Sequence, residues 1–117
     1  MARSVLIVDE DRNFREALAI ALRLDGHEVA VAASSEEARA RLAGRRFGCC
    51  VVDAHLEGAD AVLEAAAAAG AVAVATGPYP ELLAKAAARH PHAAMLAKPF
   101  RTIDLEAVLD GPARATG

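Results

Sequence analysis

The sequence predicts an α/β fold of the doubly wound kind, a (βα)5 sandwich whose parallel sheet is covered by helices on both faces. Three observations carry this. Short apolar runs alternate with longer segments of helical periodicity along the whole chain. The first run is continuous and β-branched, as a strand buried on both faces should be. The chain has 117 residues, enough for one domain and not two.

Taken in order, residues 4–8 (SVLIV) make the first strand, which stops at Asp9-Glu10-Asp11. Phe14, Ala17, Leu18, Ala21 and Leu22 recur at i, i+3, i+4, i+7 and i+8, one face of a helix. Asp11 can cap that helix, and Gly26 can stop it in the left-handed conformation. Residues 27–32 (HEVAVA) alternate as a second strand. Ser34 or Ser35 can cap a helix through Ala43, with Glu36 and Glu37 in its first turn and Gly44 at its end. Residues 47–52 read as the third strand, closing at Asp53. Asp60 opens an alanine-rich helix to Ala69, stopped by Gly70. Residues 71–75 (AVAVA) are the fourth strand, closing at Thr76-Gly77-Pro78. Pro80 suits the first turn of a helix reaching Arg89, which His90-Pro91 breaks. Residues 93–97 form a short fifth strand, closing at Lys98-Pro99-Phe100. Thr102 caps a last helix to Leu109, and Gly111-Pro112 ends it. The expectation is a single domain over 1–117, structured over 4–110 with a frayed tail at 111–117.

Composition narrows the function. Hydrophobic residues make up 55% and charged residues 25%, which is globular and not disordered. Alanine fills about a quarter of the chain, well above its usual share, and suits close helix packing. Aromatics are only 3% and the formal net charge is −3, which argues against direct nucleic-acid binding. No apolar stretch is long enough to span a membrane, and the start lacks the features of a signal peptide. Cys49 and Cys50 are adjacent, so on a strand they point to opposite faces and cannot bridge readily. They read as small apolar strand residues with reduced thiols, in keeping with a cytoplasmic protein.

The residues that close the strands carry chemistry. They are Asp9, Glu10 and Asp11, then Asp53, Thr76 and Lys98. In a parallel sheet these groups emerge on one edge, where functional residues of such folds gather. Clustered carboxylates repel one another, and a hard divalent cation relieves that cost. Mg²⁺ is typical, held by one or two carboxylates with waters and phosphate oxygens. A lysine pairs with an incoming phosphate and a threonine hydroxyl can donate to it. An aspartate at the centre can itself be the nucleophile. The set reads as metal-assisted phosphoryl transfer onto Asp53.

On these residues the chain resembles the receiver domain of two-component response regulators, from Ser4 to about Leu109. The matches are Val5-Leu6-Ile7-Val8-Asp9-Glu10, the run Asp25-Gly26-His27-Glu28-Val29, Val51-Val52-Asp53, Thr76 and, most specifically, Lys98-Pro99-Phe100. The resemblance implies a five-stranded sheet in order 2-1-3-4-5 with five helices. It implies Mg²⁺ held by Glu10 and Asp53, by Asp9 largely through water, and by the backbone carbonyl of His55. It implies a sensor histidine kinase or phosphotransfer protein as phosphodonor, an output partner or domain, and a phosphorylation-dependent homodimer. Catalysis would extend only to the chain's own phosphotransfer and dephosphorylation. The chain reads as a stand-alone receiver or as the regulatory piece of a longer protein.

Several positions depart from the family pattern. Glu57 and Ala61 stand where a proline and a glycine are usual, Met95 replaces a tyrosine or phenylalanine, and Pro78 stiffens the loop after Thr76. His55 is either a solvated loop residue or a side chain that gates water at the phosphate. Met95, Glu57 and Ala61 favour a second reading, a degenerate receiver that binds partners without phosphorylation. A haloacid-dehalogenase-type phosphatase would read Asp9-Glu10-Asp11 as D-x-D but gives Asp53 no task. A flavodoxin-like domain conflicts with the acidic first loop, and no G-x-G-x-x-G is present for dinucleotides.

Overall fold

The computed structural model describes the backbone of residues 2–116 and the side chains of residues 2–110. Its elements are β1 (Ser4–Val8), α1 (Arg12–Leu24), β2 (Glu28–Ala32), α2 (Ser35–Gly44), β3 (Cys49–Asp53), α3 (Ala59–Ala68), β4 (Val72–Gly77), α4 (Pro80–Arg89), β5 (Ala94–Ala97) and α5 (Thr102–Thr116). All strand pairs are parallel, and the sheet order is β2-β1-β3-β4-β5. The architecture is the five-unit doubly wound sandwich that the sequence predicts.

Strand alternation divides the core into two layers. Val5, Ile7, Cys49, Val51 and Val74 face α1 and α5, where they pack with Leu18, Leu22 and Leu105. Leu6, Val8, Cys50, Val52 and Ala75 face the other way, against Ala38, Val62, Leu63 and Ala86. The adjacent cysteines thus lie in opposite layers, both free and buried. Within the alanine run, Ala66 is buried while Ala67, Ala68 and Ala69 are exposed, so one small face seats α3 on the sheet.

The element ends show what the sequence could not resolve. Asp11 caps α1 by accepting from the Phe14 amide at 3.2 Å, and Ser34, not Ser35, caps α2 through the Glu37 amide at 3.1 Å. The third strand begins at Cys49, two residues later than its apolar run suggests; the Gly48 amide instead donates to Ser4 oxygens. The fourth strand continues to Gly77 because its pairing with β5 extends through Gly77 and Ala97. Gly58, not Asp60, leads into α3, with φ of 82°. A Cβ there would lie 2.5 Å from Ser35 Oγ, so glycine suits both the conformation and the space. The last helix differs most. Arg101, not Thr102, precedes its first residue, and Asp104 accepts the Arg101 amide at 2.8 Å, one half of a capping box. The helix runs on to Thr116, past Gly111 and Pro112, where the sequence reading ended it. Ala113 and Ala115 favour helix there, in keeping with their high propensity.

Candidate functional site

The parallel register brings the strand ends together. Val8 pairs with Val52, Asp53 with Thr76, and Gly77 with Ala97, so Asp9, Asp53, Thr76 and Lys98 all meet the same edge of the sheet. Backbone bonds past the strand ends fix the loops. The Asp9 amide donates to Ala32 O at 3.1 Å, Ala54 to Thr76 O at 2.8 Å, and Lys98 to Gly77 O at 2.9 Å.

Two carboxylates are buried here, Asp9 at 1% exposure and Asp53 at 9%. They share one ammonium. Lys98 Nζ donates to Asp9 Oδ2 at 2.7 Å and stands 4.0 Å from Asp53 Oδ2. Asp9 Oδ1 accepts the Asp11 amide at 2.9 Å, while Arg15 holds the Asp9 carbonyl at 2.8 Å. Asp53 Oδ1 accepts the His55 amide at 3.0 Å. Among the described residues, that leaves Asp53 Oδ2 as the oxygen without a hydrogen bond of this kind, facing the ammonium. Two anions against one cation leave a buried negative excess, which a further cation would relieve.

Thr76 is fully buried, and its hydroxyl donates to Val52 O at a long 3.4 Å. That contact is weak enough to be exchanged for a better acceptor. Glu10 is exposed, and it lines an open cleft together with Glu36, Leu56 and Glu57 between α2 and the loop after β3. Glu57 thus places a second exposed carboxylate beside Glu10 in this cleft. The His55 side chain is exposed. Met95 is half-buried against the layer of Ala73, Ala75 and Ala86.

Among the described residues, no three His, Cys, Asp or Glu side chains converge on a point where they could hold a metal. The pair Asp9 and Asp53 is the donor set on hand. Hard carboxylate oxygens at an open edge suit Mg²⁺, which keeps several waters and needs only one or two carboxylates. The residues fit that ion by donor chemistry and by the charge they leave uncompensated.

Sequence reasoning treated Phe14 as a core residue and overlooked its second contact. Lys98 Nζ lies over its ring, 4.2 Å from the centroid. Only the tertiary fold brings a residue of α1 beneath one that follows β5. Two histidines that read as a strand residue and a helix breaker are buried and paired with carboxylates. His27 is buried, accepting the Arg3 amide at Nδ1 and facing Glu106 at Nε2. His90 is buried between Asp60 and Glu64 of α3. His27 ties α5 to the start of β1, and His90 ties the end of α4 to α3.

Comparison with known proteins agrees with this geometry. A family model described as the response regulator receiver domain matches residues 5–110. The response regulator protein FleR of Pseudomonas aeruginosa is 42% identical over 60 residues, which span 51% of this chain and 13% of that protein. The crystal structure of NtrX from Brucella abortus superposes with a TM-score of 0.81 at 26% identity, covering 99% of this chain and 28% of that one. A receiver domain protein from Methanospirillum hungatei superposes with a TM-score of 0.79 at 25% identity, covering 94% and 95%. No helix among the described residues is long and apolar enough to cross a membrane. With the family match extending over nearly its whole length, the chain belongs to the response regulator receiver domains of two-component systems.

Proposed function

We propose that Asp53 takes a phosphoryl group from a phosphohistidine of a sensor histidine kinase or phosphotransfer protein, and that the new charge alters the surface offered to an output partner or domain. The observation that carries this reading is the register pair Asp53–Thr76 with Lys98 beside it: nucleophile, hydroxyl donor and ammonium at one strand edge.

Asp53 Oδ2 attacks phosphorus; the P–N bond to the donor imidazole breaks, and the imidazole leaves with the electron pair. Lys98 exchanges Asp9 for a phosphoryl oxygen, and the Thr76 hydroxyl exchanges Val52 O for another. Mg²⁺, when bound through Asp9 and Asp53 with Glu10 and the His55 carbonyl as further oxygen donors, supplies positive charge that offsets the charge of the transferring group. Hydrolysis, in which water attacks phosphorus and the P–O bond to Asp53 breaks, releases inorganic phosphate and restores the carboxylate, with exposed His55 at the mouth of the site. The chain acts only on its own phosphorylation state and is not an enzyme with a separate substrate. Such a switch works in the cytoplasm, where it can also pair with a second phosphorylated copy.

The test is intact mass after incubation with Mg²⁺ and acetyl phosphate. The wild type should gain one phosphoryl group and Asp53→Asn none. A gain that survives in Asp53→Asn removes Asp53 from the role. Met95 favours a second reading, a module that binds without phosphorylation; a wild-type protein that gains no mass from any donor would favour it.

A further inference from the structure

We propose that Phe14 is a positioning residue for Lys98: its ring holds the ammonium on the Asp9 side of the cleft before phosphorylation and releases it when a phosphoryl group arrives on Asp53. The release half rests on the function proposed above; the holding half stands by itself.

The geometry is specific. Lys98 Nζ is 2.7 Å from Asp9 Oδ2, 4.0 Å from Asp53 Oδ2 and 4.2 Å from the Phe14 centroid. An ammonium has three donors, and only one is taken by Asp9 in a hydrogen bond. The negative face of an aromatic ring attracts the remaining positive charge, more strongly where water is excluded. Only 19% of the Lys98 side chain is exposed, so the contact is largely desolvated. Carboxylate and ring together bias the ammonium away from Asp53.

The ring is itself held. Its amide is the donor that the Asp11 cap accepts, so the first turn of α1 sets its place. It meets Phe100 edge to face, with centroids 5.6 Å apart and planes at 72°. Phe100 follows Lys98 by two residues, so both the ammonium and the backbone beyond it are tied to one aromatic pair. Phe14 is only partly buried, at the margin of the α1 and α5 layer. A leucine could fill that margin, but it would offer no charge-attracting face.

Phe14 and Met95 lie on opposite sides of the sheet. Met95 packs in the layer of Ala73 and Ala86, whereas Phe14 and Phe100 pack in the layer of Leu18 and Leu105. With no ring at Met95, the state of Lys98 is felt first at Phe14 and Phe100. These two line a groove with Ala17, Ala21 and Arg101.

NMR of the whole chain tests both halves. In the resting wild type, the Lys98 methylene protons next to the ammonium should be displaced upfield by the Phe14 ring current. Phe14→Leu should remove that displacement and Phe14→Tyr should keep it. Equal Lys98 shifts in wild type and Phe14→Leu overturn the proposal. Beryllofluoride with Mg²⁺ then reports release. Binding should move the Lys98 and Phe100 ring signals together in the wild type, and Phe14→Leu should bind roughly two- to thirtyfold more tightly, the range a cation–π contact implies. Equal or weaker binding overturns release. If beryllofluoride leaves the Ala54 and His55 amides unchanged in every variant, it is the phosphoacceptor reading that fails, and the resting Lys98 shifts alone decide whether Phe14 positions it.

Discussion

The Lys98 ammonium donates to Asp9 across 89 residues of chain, at 2.7 Å, in a site where Asp9 is almost wholly buried. The pair links the end of β1, an interior strand, to the loop after β5, the edge strand. It also leaves Asp53 with the weaker share of that ammonium, 4.0 Å away. On the proposed phosphoacceptor role, a carboxylate less masked by its neighbouring cation would be freer to attack, with that cation close enough to follow the charge once it forms.

Removing that ammonium should have two opposed effects. In Lys98→Ala, Asp9 is buried without its partner, and without divalent cation the protein should lose about 3 kcal/mol of stability. Mg²⁺ should restore part of that loss and bind more tightly than in the wild type, since the carboxylates then have no other cation. Thermal unfolding with EDTA and with Mg²⁺ measures both. A variant as stable as the wild type in EDTA would show that Asp9 does not depend on Lys98.

The acidic triplet separates into three tasks. Asp9 is the buried carboxylate, Asp11 caps α1, and Glu10 is exposed at the cleft. Asp11→Ala should therefore cost about 1 kcal/mol of stability and leave Mg²⁺ affinity nearly unchanged. Glu10→Gln should do the reverse. Mg²⁺ titrations followed by amide shifts of residues 53–55 distinguish them; greater damage to binding from Asp11→Ala would move the metal site by one residue.

Much of this was legible in the sequence because it depends on period and position. The β-branched run of β1 and the i, i+3, i+4 apolar face of α1 name their elements directly. Asp53, Thr76 and Lys98 could be placed on one edge because parallel strands leave no alternative. What was not legible depends on pairing or on distant neighbours. Phe47 has strand character, yet β3 starts at Cys49, where register with Val5 begins. Thr102 is a good cap by type, but Asp104 reaches back to Arg101 instead. His27 lies in an alternating run and reads as strand, yet it is spent on Arg3 and Glu106. Phe14 over Lys98 requires two segments 84 residues apart to meet, which no local pattern encodes.

The two cysteines make a prediction in pH. Burial pushes both thiols up to about 12 from an ordinary 9.0. The folded protein thus keeps both protonated at a pH where the unfolded chain has lost them. The stability this provides is complete below pH 9.0 and is lost as pH rises towards about 12. Native protein at pH 8 should therefore resist Ellman's reagent until it unfolds, when both thiols react. The double variant Cys49→Ala, Cys50→Ala should show a shallower loss of stability with rising alkali. Rapid native reaction of either thiol would contradict the burial.

The last prediction concerns Met95. It pairs in register with Ala75 and packs among alanines of β4 and α4, half-buried. A methionine has several low-cost rotamers and adapts to whatever space is left, so it does not divide cleanly into an inward and an outward state. A ring at this position would be excluded from, or admitted to, the space beside Thr76 as a unit. With Met95, any phosphorylated and unphosphorylated arrangements of the α4–β5 face should differ little in free energy, and a small difference yields a small population shift. Beryllofluoride should accordingly produce small amide changes over residues 94–97, with larger ones in residues 54–60 and 77–80, where the loops touch the new charge. Met95→Tyr supplies the missing ring at a half-exposed place that can take its hydroxyl, and in that variant the changes should spread over residues 94–97. Amide NMR spectra of both proteins, with and without beryllofluoride, decide it. Large, cooperative shifts over those residues in the wild type would mean that the face switches without a ring, and that Thr76 and the backbone of β5 suffice to drive it.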